Sequence, residues 1–215
     1  MKLKLDKYNP HRQSLCVLGM SQTGKTRISK IITKLIVDSG RKAIVYDPNH
    51  RWTQKVNDEP VFSASYVVNT IHEMNPKGLC IVQPVEDSEN FFVDFCKKVW
   101  SFRQIGFFTV IIDELHNNVT TFHAKESFKM LVRNCHNWNI GYVAIMQRTQ
   151  EVPKMTISNS MHQIAFRLNW PSDIKILKEF LGEEVERLSP DSENPLPENH
   201  AFYKAPFKKV IEVEP

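Results

Sequence analysis

No apolar run in this sequence is long enough to cross a bilayer. The uninterrupted apolar stretches, Val110-Ile111-Ile112 and Tyr142 to Met146 among them, fall far short of the roughly 20 residues a spanning helix needs, so no transmembrane segment is expected. The first residues, Met1-Lys2-Leu3-Lys4-Leu5, lack the apolar core of a signal peptide, and the expected location is therefore the cytoplasm. Cysteine is scarce. Cys16, Cys80, Cys96 and Cys135 lie far apart, form no CxxC pair and sit mostly in apolar runs, which argues against a disulfide framework and for reduced core residues. The eight histidines show no ligand spacing: His116 and His123 flank a loop, and no pair at i, i+4 has a third ligand nearby, so no zinc is expected. There is no internal repeat and no low-complexity tract. Nor is there a strong charge imbalance: +4 over 215 residues permits a polyanionic partner without requiring one.

What is present is ordinary globular composition, 41% hydrophobic and 24% charged, in a length that suits a single domain spanning 1–215. Leu15 to Leu18 is a short apolar run ending in Gly19, followed by Ile28, Ile31, Ile32, Leu35 and Ile36 at helical spacing up to Gly40. This reads as strand, glycine loop, helix. Ala43 to Tyr46 and Leu79 to Val82 read as two further buried strands, with 60–77 too mixed to assign between them. Asp87-Ser88 can cap a helix whose apolar face is Phe91, Phe92, Phe95, Val99 and Phe102, ending at Gly106. The most apolar strand is expected from Phe107 to Ile112. Phe128, Leu131 and Val132 mark another helix, and Tyr142 to Met146 a strand whose expected neighbour is Gln163 to Leu168. A helix starting near Pro171 buries Ile174, Leu177 and Leu181, an acidic, proline-rich connector covers 182–199, and a hairpin is expected over 200–213. Strands that alternate with helices and are apolar at every position indicate an α/β fold, a mostly parallel sheet covered on both faces.

Gly19-Met20-Ser21-Gln22-Thr23-Gly24-Lys25-Thr26 matches G-x-x-x-x-G-K-[ST] completely, between the predicted strand and helix. That placement aims backbone N–H groups and a helix N-terminus at phosphate oxygens. A Cβ at Gly19 or Gly24 would obstruct the turn and the close approach of phosphate. Lys25 is expected to meet the β- and γ-phosphates of ATP, and the Thr26 hydroxyl to ligate Mg²⁺. Downstream, the strand before Asp113-Glu114 ends in two carboxylates. Strand ends face the ligand crevice in open α/β sheets. Asp113 is expected to hold the magnesium through water, and Glu114 to orient and deprotonate an attacking water. A carboxylate base suits hydrolysis; a nucleotide kinase must exclude water, and no N-K-x-D segment suggests guanine reading. Gln147 ends a further strand and can sense the γ-phosphate or position water.

With these elements in this order, the chain resembles the FtsK/HerA-type branch of P-loop ATPases over roughly residues 12–170. The resemblance rests on the phosphate loop, Tyr46-Asp47-Pro48-Asn49 after the second strand, Ile111-Ile112-Asp113-Glu114, and Ile145-Met146-Gln147-Arg148. It implies a RecA-like core (about 12–181 here) and a homo-oligomeric ring, expected to be a hexamer, that translocates double-stranded DNA without reading sequence. The compact length is similar to the genome-packaging ATPases of membrane-containing icosahedral viruses, including turreted archaeal viruses. That implies a host-cytoplasmic or virion-associated protein working with capsid vertex or membrane proteins. A cellular HerA-like or conjugation-type core, and less so a small-molecule kinase, are the alternatives. The family often carries an arginine before the sensor strand; here Asn134-Cys135-His136-Asn137-Trp138 has none, which leaves Arg133 as the first candidate for a trans-acting arginine and Arg148 as the second. Thr149 stands where the family often has proline. Arg51, Lys55, Lys125, Lys129, Lys154, Lys208 and Lys209 are candidate DNA contacts. Trp52, Trp100, Trp138 and Trp170 are expected to serve as packing residues.

Overall fold

The computed structural model describes residues 14–55, 60, 62, 67–86, 88–119, 125–206 and 208–214. Asp87 and His123 lie outside the described residues. The chain runs β1 (Ser14–Leu18), α1 (Lys25–Asp38), β2 (Lys42–Tyr46), β3 (Val67–Val68), β4 (Leu79–Val82), α2 (Glu89–Ser101), β5 (Phe108–Ile112) and α3 (Glu126–Asn134). It continues with β6 (Ile140–Met146), α4 (Lys154–Ser158), β7 (His162–Ala165), α5 (Pro171–Leu181), β8 (Ala201–Lys204) and β9 (Ile211–Val213).

All these strands join one nine-stranded sheet in the order β3-β4-β2-β5-β6-β1-β7-β8-β9. Pairing is parallel from β3 through β7 and antiparallel from β7 to β8 to β9. The β1, β5, β6 and β7 strands are buried at every position because alternate side chains feed two separate cores. Leu15 and Val17 of β1 join Ile28, Ile32 and Ile36 of α1 on one face. Cys16 and Leu18 join Phe92, Phe95 and Cys96 of α2 and Phe128 and Leu131 of α3 on the other. Each such fully buried apolar side chain contributes about 1.5–3 kcal/mol. The i, i+4 spacing of the α1 isoleucines is therefore what holds that helix, and the loop before it, on the sheet. The four cysteines are buried and unpaired, as expected.

Three sequence expectations change. The segment from Gln163 pairs with β1, not with β6: β1 inserts between them, because a parallel crossover can return to either side of the strand it left, and the apolar pattern of 163–168 suits either neighbour. Its ladder ends at Ala165; Phe166 then donates its N–H to Leu18 O at 2.9 Å, and Met20 donates to Arg167 O at 2.8 Å, so the strand continuation buttresses the glycine loop. Next, α2 stops at Ser101 and Phe102–Gln104 tightens into a 3-10 turn, while Phe107 is exposed with φ 55° and falls outside β5. Last, the 182–199 connector folds back onto the body: Glu183–Leu188 forms a 3-10 helix, and Val185, Leu188 and Leu196 are fully buried. The hairpin after it forms as expected and extends the sheet past β7. Among the described residues, no helix is long and apolar enough to cross a membrane.

Candidate functional site

The glycine loop occupies the turn from β1 into α1. Gly24, at φ 100°, is the residue from which α1 starts, a left-handed conformation that side chains disfavour. Gly19, at φ 154°, is packed so closely that a Cβ would lie 2.7 Å from Phe166 Cβ and 2.8 Å from Thr23 Oγ1. Thr23 caps the loop from inside by donating to Met20 O at 2.9 Å. Lys25, only 6% exposed, donates from Nζ to Met20 O at 2.6 Å. Burial lowers its pKa to about 8, with the charges of Glu114 and Asp113 opposing the shift and Arg51 adding to it. An ammonium so desolvated has much to gain from a polyanion.

A crevice of about 470 Å³ opens over the loop, lined by Ser21, Gln22, Gly24, Lys25, Thr26, Arg27, Lys30, Arg51, Gln54, Glu114, Gln147 and Asn199. Sheet order explains this assembly. Because β6 lies between β1 and β5, Gln147 at its end stands between the glycine loop and the Asp113-Glu114 pair. Gln147 Nε2 donates to Glu114 Oε1 at 3.1 Å and Oε2 at 2.9 Å, and His116 Nε2 lies 3.4 Å from Glu114 Oε2. Glu114 adopts φ 49°, an uncommon conformation for a side-chain-bearing residue, which turns the chain sharply after β5. Burial holds the His116 ring below its usual pKa.

Asp113 is 1% exposed and accepts from Trp52 Nε1 at 3.0 Å and from Glu114 N at 3.0 Å. Burial raises its pKa to about 6; the Trp52 bond opposes this, and the nearby Glu114 and Asp47 charges add to it. A carboxylate desolvated among other acids is stabilised by a nearby cation. Thr26 lines the crevice, and Asp113 lies near enough to Lys25 for their charges to interact; a hydroxyl and a carboxylate are oxygen donors of the kind Mg²⁺ takes, so these residue types fit that ion.

The structure thus brings Gly19 to Thr26, Asp113, Glu114 and Gln147 together. The arginine candidates lie elsewhere. Arg148 Nε donates to the buried Asp173 at 2.9 Å, its guanidinium lies over the Trp170 ring at 4.8 Å, and Glu151 is 3.3 Å away. Arg133 is exposed at the C-terminal end of α3, 3.8 Å from Glu126. Since α3 runs back from the crevice edge of the sheet toward the start of β6, Arg133 stands at the opposite edge. Of the candidate DNA contacts, Arg51 lines the crevice, while Lys125, Lys129 and Lys154 lie near Glu89, Glu126 and Glu179 respectively. Lys55, Lys208 and Lys209 are exposed.

Sequence reasoning assigned Trp52 only a packing role, which misses its bond to Asp113, and assigned no role to Gln83 or Asp173. Asp173 accepts from Thr149 N, Thr149 Oγ1 and Gln150 N as well as from Arg148, and so shapes the turn after Gln147. The acidic residue in the first turn of a helix signals a cap, but nothing local says which loop it serves.

Strand, glycine loop and helix, with an acidic strand end and a polar strand end beside them, define a P-loop NTPase fold. Among solved structures, the genome packaging NTPase B204 from Sulfolobus turreted icosahedral virus 2, in complex with ATP-gammaS, shares this fold with a TM-score of 0.78 at 14% identity, over 97% of this chain and 99% of that one. B204 of Sulfolobus Turreted Icosahedral Virus, a DNA-packaging ATPase, matches with a TM-score of 0.73 at 15% identity, over 97% of this chain and 99% of that one. The pCW3 conjugation coupling protein TcpA, with ATPgS, matches with a TM-score of 0.53 at 16% identity, over 94% of this chain but 60% of its own. At 14–16% identity, these matches show a shared fold. No protein-family model and no curated protein sequence matches the chain.

Proposed function

We propose that this protein hydrolyses Mg-ATP and uses the energy, as one subunit of a ring, to drive double-stranded DNA into a viral capsid. The observation that carries the hydrolysis is the meeting of Glu114, Gln147 and Lys25 around one crevice, assembled from three strand ends. The backbone amides of 20–26 and Lys25 bind the phosphates. Thr26 and Asp113 would hold Mg²⁺, which supplies charge neutralisation at the β- and γ-phosphates. Glu114 takes the proton of the attacking water, and Gln147, bonded to both of its oxygens, fixes the plane of the carboxylate. Arg51 adds a second positive charge to the crevice wall.

DNA translocation and packaging are supported by the fold shared with B204 over nearly the whole of both chains. A conjugation-type motor is the second reading, supported by the match to TcpA. DNA drive predicts that duplex DNA of any sequence accelerates ATP hydrolysis, and that the acceleration falls steeply as salt rises, because released counterions drive backbone binding. A steady-state ATPase assay over a KCl series checks this, with Lys25→Ala as the control that lacks turnover. A rate indifferent to duplex and to salt would remove DNA from the proposal and leave a nucleotide hydrolase. Co-assembly with capsid vertex proteins separates packaging from conjugation.

A further inference from the structure

We propose that Asp47 and Trp52 form a positioning device for Asp113, with the Trp52 indole N–H setting the orientation in which that carboxylate meets magnesium. This deepens the ATPase reading above and rests on it.

The device is built from the strand pairing. β2 and β5 are adjacent, with Tyr46 opposite Ile112, so the residues after each strand, Asp47 and Asp113, leave the sheet side by side; Asp113 N donates to Tyr46 O at 3.0 Å. Two carboxylates thus enter the interior together, Asp47 at 0% and Asp113 at 1% exposure, and the oxygens of each, cut off from water, need hydrogen-bond donors. Asp47 takes three. Its Oδ1 accepts from Arg51 N at 2.9 Å, and its Oδ2 from Trp52 N at 3.0 Å and Gln83 Nε2 at 2.7 Å. These bonds bend the chain after β2 into a loop of fixed shape. That loop carries two side chains to the site from opposite sides: the Arg51 side chain lines the crevice, and the Trp52 indole turns inward.

Trp52 is fully buried and stacked on Phe62 at a ring separation of 5.9 Å and 26° between planes. Packing alone would be met by any aromatic ring. The indole N–H, however, needs an acceptor once buried, and it finds Asp113 Oδ2 at 3.0 Å. Since Oδ1 of the same group accepts from Glu114 N, each carboxylate oxygen is held by one donor and the plane of the group is set. Each oxygen keeps further lone-pair capacity for a metal-bound water. Outer partners that orient a metal-site carboxylate typically change metal affinity by about 10–100-fold when removed.

Trp52→Phe keeps the stacked ring and deletes the N–H. The experiment titrates MgCl₂ into the protein with a fluorescent ATP analogue and repeats the nucleotide titration in EDTA. For Trp52→Phe the Mg²⁺ midpoint should rise about tenfold or more while affinity in EDTA stays at the wild-type value. Asp47→Asn, which weakens the bonds shaping the loop, should move the midpoint in the same direction. An unchanged midpoint in both variants overturns the inference. So does an equal loss of affinity with and without Mg²⁺, the mark of a packing role. If wild type itself binds no nucleotide, the ATPase reading falls instead. Should the variants fail to fold, indole ¹⁵N–¹H spectra of the wild type decide: one of the four tryptophan resonances should shift when MgCl₂ is added to protein saturated with a non-hydrolysable ATP analogue, and no shift overturns the device.

Discussion

Glu114 and its neighbour Asp113 are adjacent in the chain yet occupy different environments, and this divides their work. Asp113 is locked by two donors and excluded from solvent, whereas Glu114 faces the crevice with an amide and an imidazole against it. Replacing Glu114 by Gln would remove the proposed base but leave the glycine-loop amides and Lys25 in place. Single-turnover hydrolysis should slow by roughly 10²–10⁴-fold while ATP affinity stays within a few-fold, measured on the same protein by quench flow and nucleotide titration. Turnover near wild type would make Glu114 a bystander. Both carboxylates were legible in the sequence because an apolar strand ending in acids is a local pattern. Trp52 was not, because its partner lies 61 residues away and depends on which strand neighbours β2.

Among elements, the glycine loop is the most constrained. It is squeezed between its own Thr23 and the Phe166–Arg167 segment, which leaves no room for a methyl at Gly19. Gly19→Ala should therefore displace the loop from Phe166, lower the melting temperature by the equivalent of roughly 1–3 kcal/mol, and weaken ATP binding. A crystal structure or melting curve indistinguishable from wild type would contradict this packing. The β7–β8 junction gives a second element-scale prediction. His162 is buried, its Nδ1 2.8 Å from Tyr203 Oη with the two rings stacked, and burial lowers its pKa from 6.5 to about 4. Between those values the unfolded chain binds the proton and the folded one resists it, so stability should fall as pH drops from about 6.5 to about 4 and lose nothing further to this group below that. His162→Phe keeps the stacking ring and removes the titration. Its melting temperature should vary less with pH across that window than that of wild type, and equal slopes would assign the dependence to other groups.

At the scale of the whole molecule, the separation of Arg133 from the crevice matters most. The α3 helix is about 13 Å long and returns from the crevice edge, so Arg133 is carried away from the Lys25 site of its own chain and is exposed to solvent. Arg148, tied to Asp173, is less free to act in this way. If Arg133 completes the site of the next subunit, Arg133→Ala should reduce hydrolysis by roughly 10³-fold with ATP affinity retained. Mixing it with inactive Lys25→Ala subunits should then restore activity above either variant alone, because some junctions pair an intact Lys25 with an intact Arg133. No recovery at any ratio, in rings shown to exchange subunits, would exclude Arg133.

The α/β class, the glycine loop from Gly19 to Thr26, the acidic pair after β5 and the amide after β6 could all be read from the chain before any fold was known. Each of these is carried by a local signal: the period of apolar residues, the backbone freedom of glycine, or a polar residue ending an apolar run. Tertiary structure alone decided that β1 separates β6 from β7, that β6 carries Gln147 between Lys25 and Glu114, that the connector packs rather than links, and that Trp52 reaches Asp113. The physical reason is that strands apolar on both faces give each residue the same pattern whichever strand lies beside it. Neighbours are then chosen by how the helices and both cores pack together, which no short window of sequence contains.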